Sequence, residues 1–154
     1  MTLYLVRHAK AGERRAWTGD DTERPLSSKG WKQASAVADR LGPLGVTDLV
    51  SSPFARCRQT LEPLATLLDL EVRTDRRLAE GTPFEETLAL FDEVADGTAL
   101  CSHGDVIPDA IQALVRRGLD LRSTPDWRKA SVWAIERNSK GRYTRARAWP
   151  PPVL

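Results

Sequence analysis

Four times along the chain a short run of strand length is followed by a longer segment whose apolar residues recur at helical spacing. That alternation restricts the fold to a mainly parallel sheet between layers of helices. Thr2 to Val6 is nearly continuous in apolar character, the pattern of a central strand covered on both faces. Asp48 to Ser51, Glu71 to Thr74 and Thr98 to Ser102 supply three further strands, and residues 131–136 and 143–149 read as two more, joined by the turn-forming Asn138-Ser139-Lys140-Gly141. The 154 residues contain neither an internal repeat nor a linker, so the expectation is a single three-layer α/β/α domain over residues 1–154.

The helices announce themselves by their ends. Ala34, Val37, Ala38 and Leu41 share one face of a helix near 28–41, capped by Ser27 or Ser28 and stopped by Gly42-Pro43. Ser52-Pro53 reads as a cap followed by proline at the first helical position, with Pro63 expected to kink or divide that helix near Glu62. Thr82-Pro83-Phe84-Glu85 reads as a capping box before Leu88, Phe91 and Val94. Val106, Ala110, Leu114 and Val115 mark the last helix, closed by Gly118. Residues 11–24 form a long polar loop.

Composition removes several classes of function. No apolar run approaches the roughly 18–20 residues needed to span a bilayer, and 41% hydrophobic with 29% charged residues excludes a disordered chain. The N-terminus lacks the pattern of a signal peptide, so a cytoplasmic location is expected. Cys57 and Cys101 are too few for a disulfide framework and are expected to be reduced. Of the 23 basic residues 18 are arginine, whose planar fork suits phosphate, although a GC-rich genome alone would give the same bias. Acidic residues are interspersed among the basic ones, which argues against a nucleic-acid partner.

The unusual residues fall at strand ends, where ligands gather in such sheets. Arg7-His8 follows the first strand, Arg56 the second and His103-Gly104 the fourth, and these are the only two histidines in the chain. Each feature alone has an ordinary reading as a boundary pair, a surface arginine or a helix cap. Together, two arginines and two imidazoles form a metal-free phosphoryl site, one imidazole attacking while the other stabilises charge. Surrounding positive charge should keep His8 neutral, and backbone N–H groups at Gly104 and Asp105 are further anion donors. No cofactor is implied. Neither cysteine has the arginine six residues later that a cysteine phosphatase loop needs, no glycine-rich nucleotide loop is present, and two histidines without HxxxH spacing argue against a metallohydrolase.

These segments resemble the histidine phosphatase superfamily, also called phosphoglycerate-mutase-like. Leu5-Val6-Arg7-His8-Ala9-Lys10 is similar to its nucleophile motif, Arg24-Pro25-Leu26-Ser27-Ser28-Lys29-Gly30 to its approach to the first helix, Ser51 through Thr60 to its second arginine motif, and Ser102-His103-Gly104 to its second histidine. The matches occur in family order. The short chain looks most like small SixA-type phosphohistidine phosphatases, while Arg56-Cys57-Arg58-Gln59-Thr60 and Val106-Ile107-Pro108-Asp109 are also similar to the phosphatase domain of Nudix-linked actinobacterial proteins. The resemblance implies a phosphoglycerate-mutase-like fold, His8 as covalent nucleophile, and Arg7, Arg56 and His103 as phosphate pocket. Glu80 resembles the general acid of the wider branch, and Asp105 is its rival.

Three functions stay open on these residues: a phosphatase acting on a phosphorylated small molecule or a phosphohistidine protein, a phosphatase of nucleoside polyphosphates, and a module that binds phosphorylated ligands without turnover. Trp17, with Arg14 and Arg15, is a candidate substrate loop. Trp31, Trp133 and Trp149 read as packing residues.

Overall fold

The computed structural model describes all 154 residues and gathers seven strands into one sheet. These are β1 (Thr2–Arg7), β2 (Asp48–Ser51), β3 (Val72–Thr74), β4 (Thr98–Ser102), β5 (Asp120–Leu121), β6 (Val132–Arg137) and β7 (Tyr143–Trp149), in spatial order β3-β2-β4-β1-β6-β7-β5. Strands β3, β2, β4 and β1 are parallel, as βα crossovers require, whereas β6 and β7 add an antiparallel pair beside β1. The mainly parallel expectation therefore describes the half of the sheet with helical crossovers. The two-residue β5 carries too little pattern to be read from sequence.

Helices α1 (Ser28–Leu41) and α2 (Ala55–Leu68) cover one face, and α3 (Phe84–Glu93) and α4 (Val106–Arg116) cover the other. Successive residues of β1 point to opposite faces. Leu3 and Leu5 pack with Phe91, Ile107, Ile111 and Leu114, while Tyr4 and Val6 pack with Val37, Leu41, Leu61 and Leu64. Both faces being covered, every position in the run is apolar, and burial of each large side chain contributes about 1.5–3 kcal/mol.

Several local expectations need correction. Pro63 neither ends nor divides α2, which runs through it; one lost backbone hydrogen bond is outweighed by the packing of Cys57, Leu61 and Leu64 against the sheet. Helix α2 opens later than Pro53, with Phe54 at the N-cap and no side-chain cap; the Ser52 hydroxyl accepts from Phe54 N at 3.2 Å and lies 2.8 Å from His103 Nε2. Thr82 does not cap α3 either. Its hydroxyl donates to Ala79 O at 2.8 Å, and Pro83 holds the cap position. Glu85 and Glu86 still suit the first turn, where the helix end is positive. Trp133 is fully buried and Trp149 packs 5.9 Å from Tyr4, but Trp31 lies on the outer side of α1 and is exposed.

The register of the parallel strands builds the site. Arg7 lies opposite Ser102 and Ser51 opposite Cys101, so the residues that follow β1, β2 and β4 leave the sheet side by side at one edge.

Candidate active site

His8 and His103 are the first residues beyond β1 and β4, and their rings stand edge to face with centroids 5.4 Å apart. Both are buried, as is Arg56 on the first turn of α2, at 6%, 1% and 1% exposure. Burying so much potential charge is costly unless each polar atom is occupied. Most are.

His8 Nδ1 lies 2.8 Å from the carbonyl oxygen of Ala9, which fixes it as the N–H donor and leaves Nε2 with the free lone pair. The same ring is held far below the usual imidazole range, with a pKa of about 3. Burial is the largest cause, partly offset by the Ala9 carbonyl, with His103, Arg56 and Arg7 adding repulsion. The expected neutrality of His8 thus has desolvation as its first cause and positive neighbours as its second. At neutral pH the ring is uncharged, the form in which an imidazole can act as a nucleophile.

Arg7 donates from one terminal nitrogen to Trp127 O at 2.7 Å. Arg56 donates to Asp21 O at 2.9 Å, and its other terminal nitrogen reaches Glu80 Oε1 at 2.7 Å and Asp21 Oδ2 at 3.3 Å. Ser52 Oγ accepts from Phe54 N and sits 2.8 Å from His103 Nε2. That arrangement fits a tautomer in which Ser52 gives its proton to Nε2 and Nδ1 carries the ring hydrogen. At the site three buried nitrogens remain without a hydrogen-bond partner, Arg7 Nε, Arg56 Nε and His103 Nδ1; the fourth in the chain, Trp133 Nε1, belongs to the core. An unpartnered buried donor costs about 1–3 kcal/mol, and an oxyanion is a group that could satisfy all three.

A cavity of about 390 Å³ opens above them, and no hydrophobic residue lines it. Arg7, His8, Arg14, Arg56, Glu80, Gly104 and Asp105, all singled out from the sequence, form most of its wall. His103 lies just beneath, with Nδ1 3.4 Å from Glu80 Oε1. The two rival carboxylates are differently engaged: Glu80 touches Arg56 and faces the cavity, whereas Asp105 Oδ2 accepts the N–H of Gly81 at 2.8 Å and so holds the Glu80 loop. A Cβ on Gly104 would sit 2.7 Å from the Arg7 guanidinium, so any side chain there would displace Arg7.

The candidate substrate loop is only partly brought in. Arg15 and Trp17 do not line the cavity, and the Trp17 ring instead folds over Gly19 and donates to Asp20 O at 2.7 Å. Two lining residues escaped the sequence reading, Arg24 and Lys129. Arg24 is buried and bonded to Asp21 Oδ1 at 2.9 Å and Gly12 O at 2.5 Å. Its signal was present in the segment preceding α1. Asp21, which links Arg24 and Arg56 and is held below the ordinary carboxylate range by Arg24 foremost, carried no sequence signal. No group of three His, Cys, Asp or Glu side chains is gathered as a metal site, and both cysteines are free and buried, Cys57 Sγ lying 3.5 Å from His103 Nε2.

Residues 3–95, more than half of the chain, match the family described as the histidine phosphatase superfamily, branch 1. The chain belongs to that superfamily. Among curated relatives, the 8-oxo-(d)GTP phosphatase of Mycolicibacterium smegmatis is 33% identical over 140 residues, 87% of this chain and 44% of the relative. A protein named probable phosphoglycerate mutase GpmB, from Citrobacter koseri, is 39% identical over 83 residues, 52% of this chain and 38% of its own. The chain thus spans less than half the length of these relatives. Among solved structures, the protein histidine phosphatase SixA complexed with tungstate superposes with a TM-score of 0.76 at 20% identity, covering 94% and 93% of the two chains. The mycobacterial glucosyl-3-phosphoglycerate phosphatase with inorganic phosphate gives 0.69 at 19% identity, covering 96% and 95%. At such identities the likeness is one of fold.

Proposed function

We propose that residues 1–154 form a metal-independent phosphatase domain that works through a phosphohistidine on His8. The observation that carries this reading is the set of three unpartnered buried nitrogens, Arg7 Nε, Arg56 Nε and His103 Nδ1, gathered around a neutral imidazole whose Nε2 is free. Family membership and the fold support it. The substrate class it fits is a phosphomonoester or a protein phosphohistidine, and the place of action is the cytoplasm; no helix is long and apolar enough to cross a membrane.

In the first step His8 Nε2 attacks phosphorus, the bond to the leaving group breaks, and Glu80 gives that group its proton. In the second, water attacks the phosphohistidine, Glu80 recovers a proton from it, and the bond to Nε2 breaks to release orthophosphate. Arg7, Arg56 and His103 hold the equatorial oxygens as charge shifts onto them. Asp105 acts as a positioning residue through Gly81.

His8→Ala should lower hydrolysis of p-nitrophenyl phosphate by about 10³-fold or more, and a phosphoryl donor should label the native protein with an acid-labile, base-stable phosphate absent from the variant. Undiminished turnover in His8→Ala sinks the nucleophile; a native protein that binds phosphate but takes no label is a binding module. Turnover unchanged by EDTA is expected, and loss restored by a divalent ion contradicts metal independence. A second reading, hydrolysis of nucleoside polyphosphates, is favoured by the 33% identity to the 8-oxo-(d)GTP phosphatase across most of this chain. A nucleotide panel separates the two.

A further inference from the structure

Beside the phosphate cavity lies a second concavity of about 660 Å³, and Arg7 and Lys129 line both. Lys10, Lys29, Arg128 and Gln33 complete its polar wall, the last four residues of the chain form its other side, and no carboxylate side chain lines it. Arg128 is engaged, its guanidinium 2.6 Å from Asp126 Oδ2. Lys10, Lys29 and Lys129 enter none of the chain's ion pairs.

The backbone fixes these lysines in place. Ser27, the N-cap of α1, donates both its N–H and its hydroxyl to Lys10 O, at 3.0 and 3.1 Å. Gly30 permits this approach, because a Cβ there would fall 1.9 Å from that carbonyl oxygen. Lys10 is thereby pressed against the first turn of α1, which carries Lys29 and no acid, although a cation at the positive end of a helix is unfavourable without an anion to offset it. On the other side Ala130 adopts a left-handed φ of 67° while its N–H donates to Arg7 O at 3.1 Å, which sets Lys129 beside Arg7. Burial and then the cations Arg7, Arg24, Lys10 and Arg56 all lower the pKa of Lys129.

We propose that this groove is a second oxyanion subsite, formed by Lys10, Lys29 and Lys129, that selects a small-molecule substrate carrying a further phosphate beyond the one transferred. The inference rests on the phosphatase reading and narrows it. Arg7 and Lys129 line both cavities, so one short chain of phosphates can reach from the first into the second, which a small molecule carrying several phosphates supplies.

Titration calorimetry of the whole protein at low ionic strength tests it with orthophosphate and tripolyphosphate as probes. Tripolyphosphate should bind at least about tenfold more tightly, with the preference shrinking as salt is raised. In the double variant Lys10→Gln, Lys29→Gln the preference should fall to within about twofold while orthophosphate affinity, which also reports folding, is retained. Equal affinity of the native protein for the two probes, or a preference that survives the double variant, overturns the subsite. Lysine-dependent turnover of an acidic phosphoprotein without any tripolyphosphate preference assigns the groove to a protein and overturns it as well. Because binding is read without turnover, a lysine-dependent preference in a protein that hydrolyses nothing upholds the subsite and refutes the phosphatase reading.

Discussion

The edge formed by β1, β2 and β4 and the first part of the loop, residues 11–20, both carry arginines, yet they treat charge in opposite ways. At the edge Arg56 and His103 are almost completely buried, and Arg56 is held by Asp21 and Glu80 through named contacts. In the loop Arg14 and Arg15 are exposed, and the single ion pair of Arg14, to Asp21 at 3.7 Å, is loose. Geometry imposed by the sheet preorganises the first set, while solvent screens the second. The difference teaches that arginine count says little here, and that desolvation decides which arginines matter.

The sharpest way to break that contrast is Arg56→Ala, which should lower kcat/KM on p-nitrophenyl phosphate by about 10²–10³-fold, without rescue by lysine because the fork also holds Glu80 and Asp21. Glu80→Gln should cost about 10²-fold on an alkyl phosphate and far less on phosphohistidine, whose leaving group needs little protonation. Gly104→Ala, which drives a Cβ into Arg7, should cost about tenfold, seen mainly in KM.

The protonation of His8 offers a test of the same size. Its folded pKa of about 3 lies below the ordinary imidazole value of 6.5, so between those values the unfolded chain binds the extra proton and stability falls with acid. The contribution is complete above pH ~6.5 and is lost by about 1.4 kcal/mol, or tenfold in the folding constant, per pH unit below it. Denaturant titrations of native protein and His8→Gln should differ by that slope, and the imidazole resonances of His8 should stay flat from about pH 8 to 5. A resonance titrating near 6.5 would show an open site. The smallest effect belongs to the loop: Arg15→Ala and Trp17→Ala should change kcat/KM by less than about twofold.

How far the sequence could be read follows the same physics. Strands β2 and β4 and helix α1 begin and end where apolar period and caps place them, because burial on known faces leaves a pattern. The start of α2 lies two residues beyond Pro53, and the contact that Ser52 makes with His103 across 51 residues of chain leaves no local pattern. Pro63 leaves α2 undivided, its buried face packed on both sides of the proline. The strand-end rule brought Arg7, His8, Arg56 and His103 together, and the family likeness pointed to Glu80. Asp21 stayed hidden because its significance lies in joining Arg24 to Arg56, a link that only the fold creates. Lys129 arrives from beside a left-handed alanine that no propensity scale anticipates.

The bond from His8 Nδ1 to Ala9 O joins adjacent residues, and in the proposed cycle it has a temporal meaning. It is made before the phosphoryl group arrives, it is compatible with a phosphorylated Nε2, and it is still there when water has taken the group away. The ring therefore has no reason to flip between half-reactions, and the contact that holds it moves with β1 rather than with any loop. The hand that receives the phosphoryl group is the hand that gives it up, already in position for both.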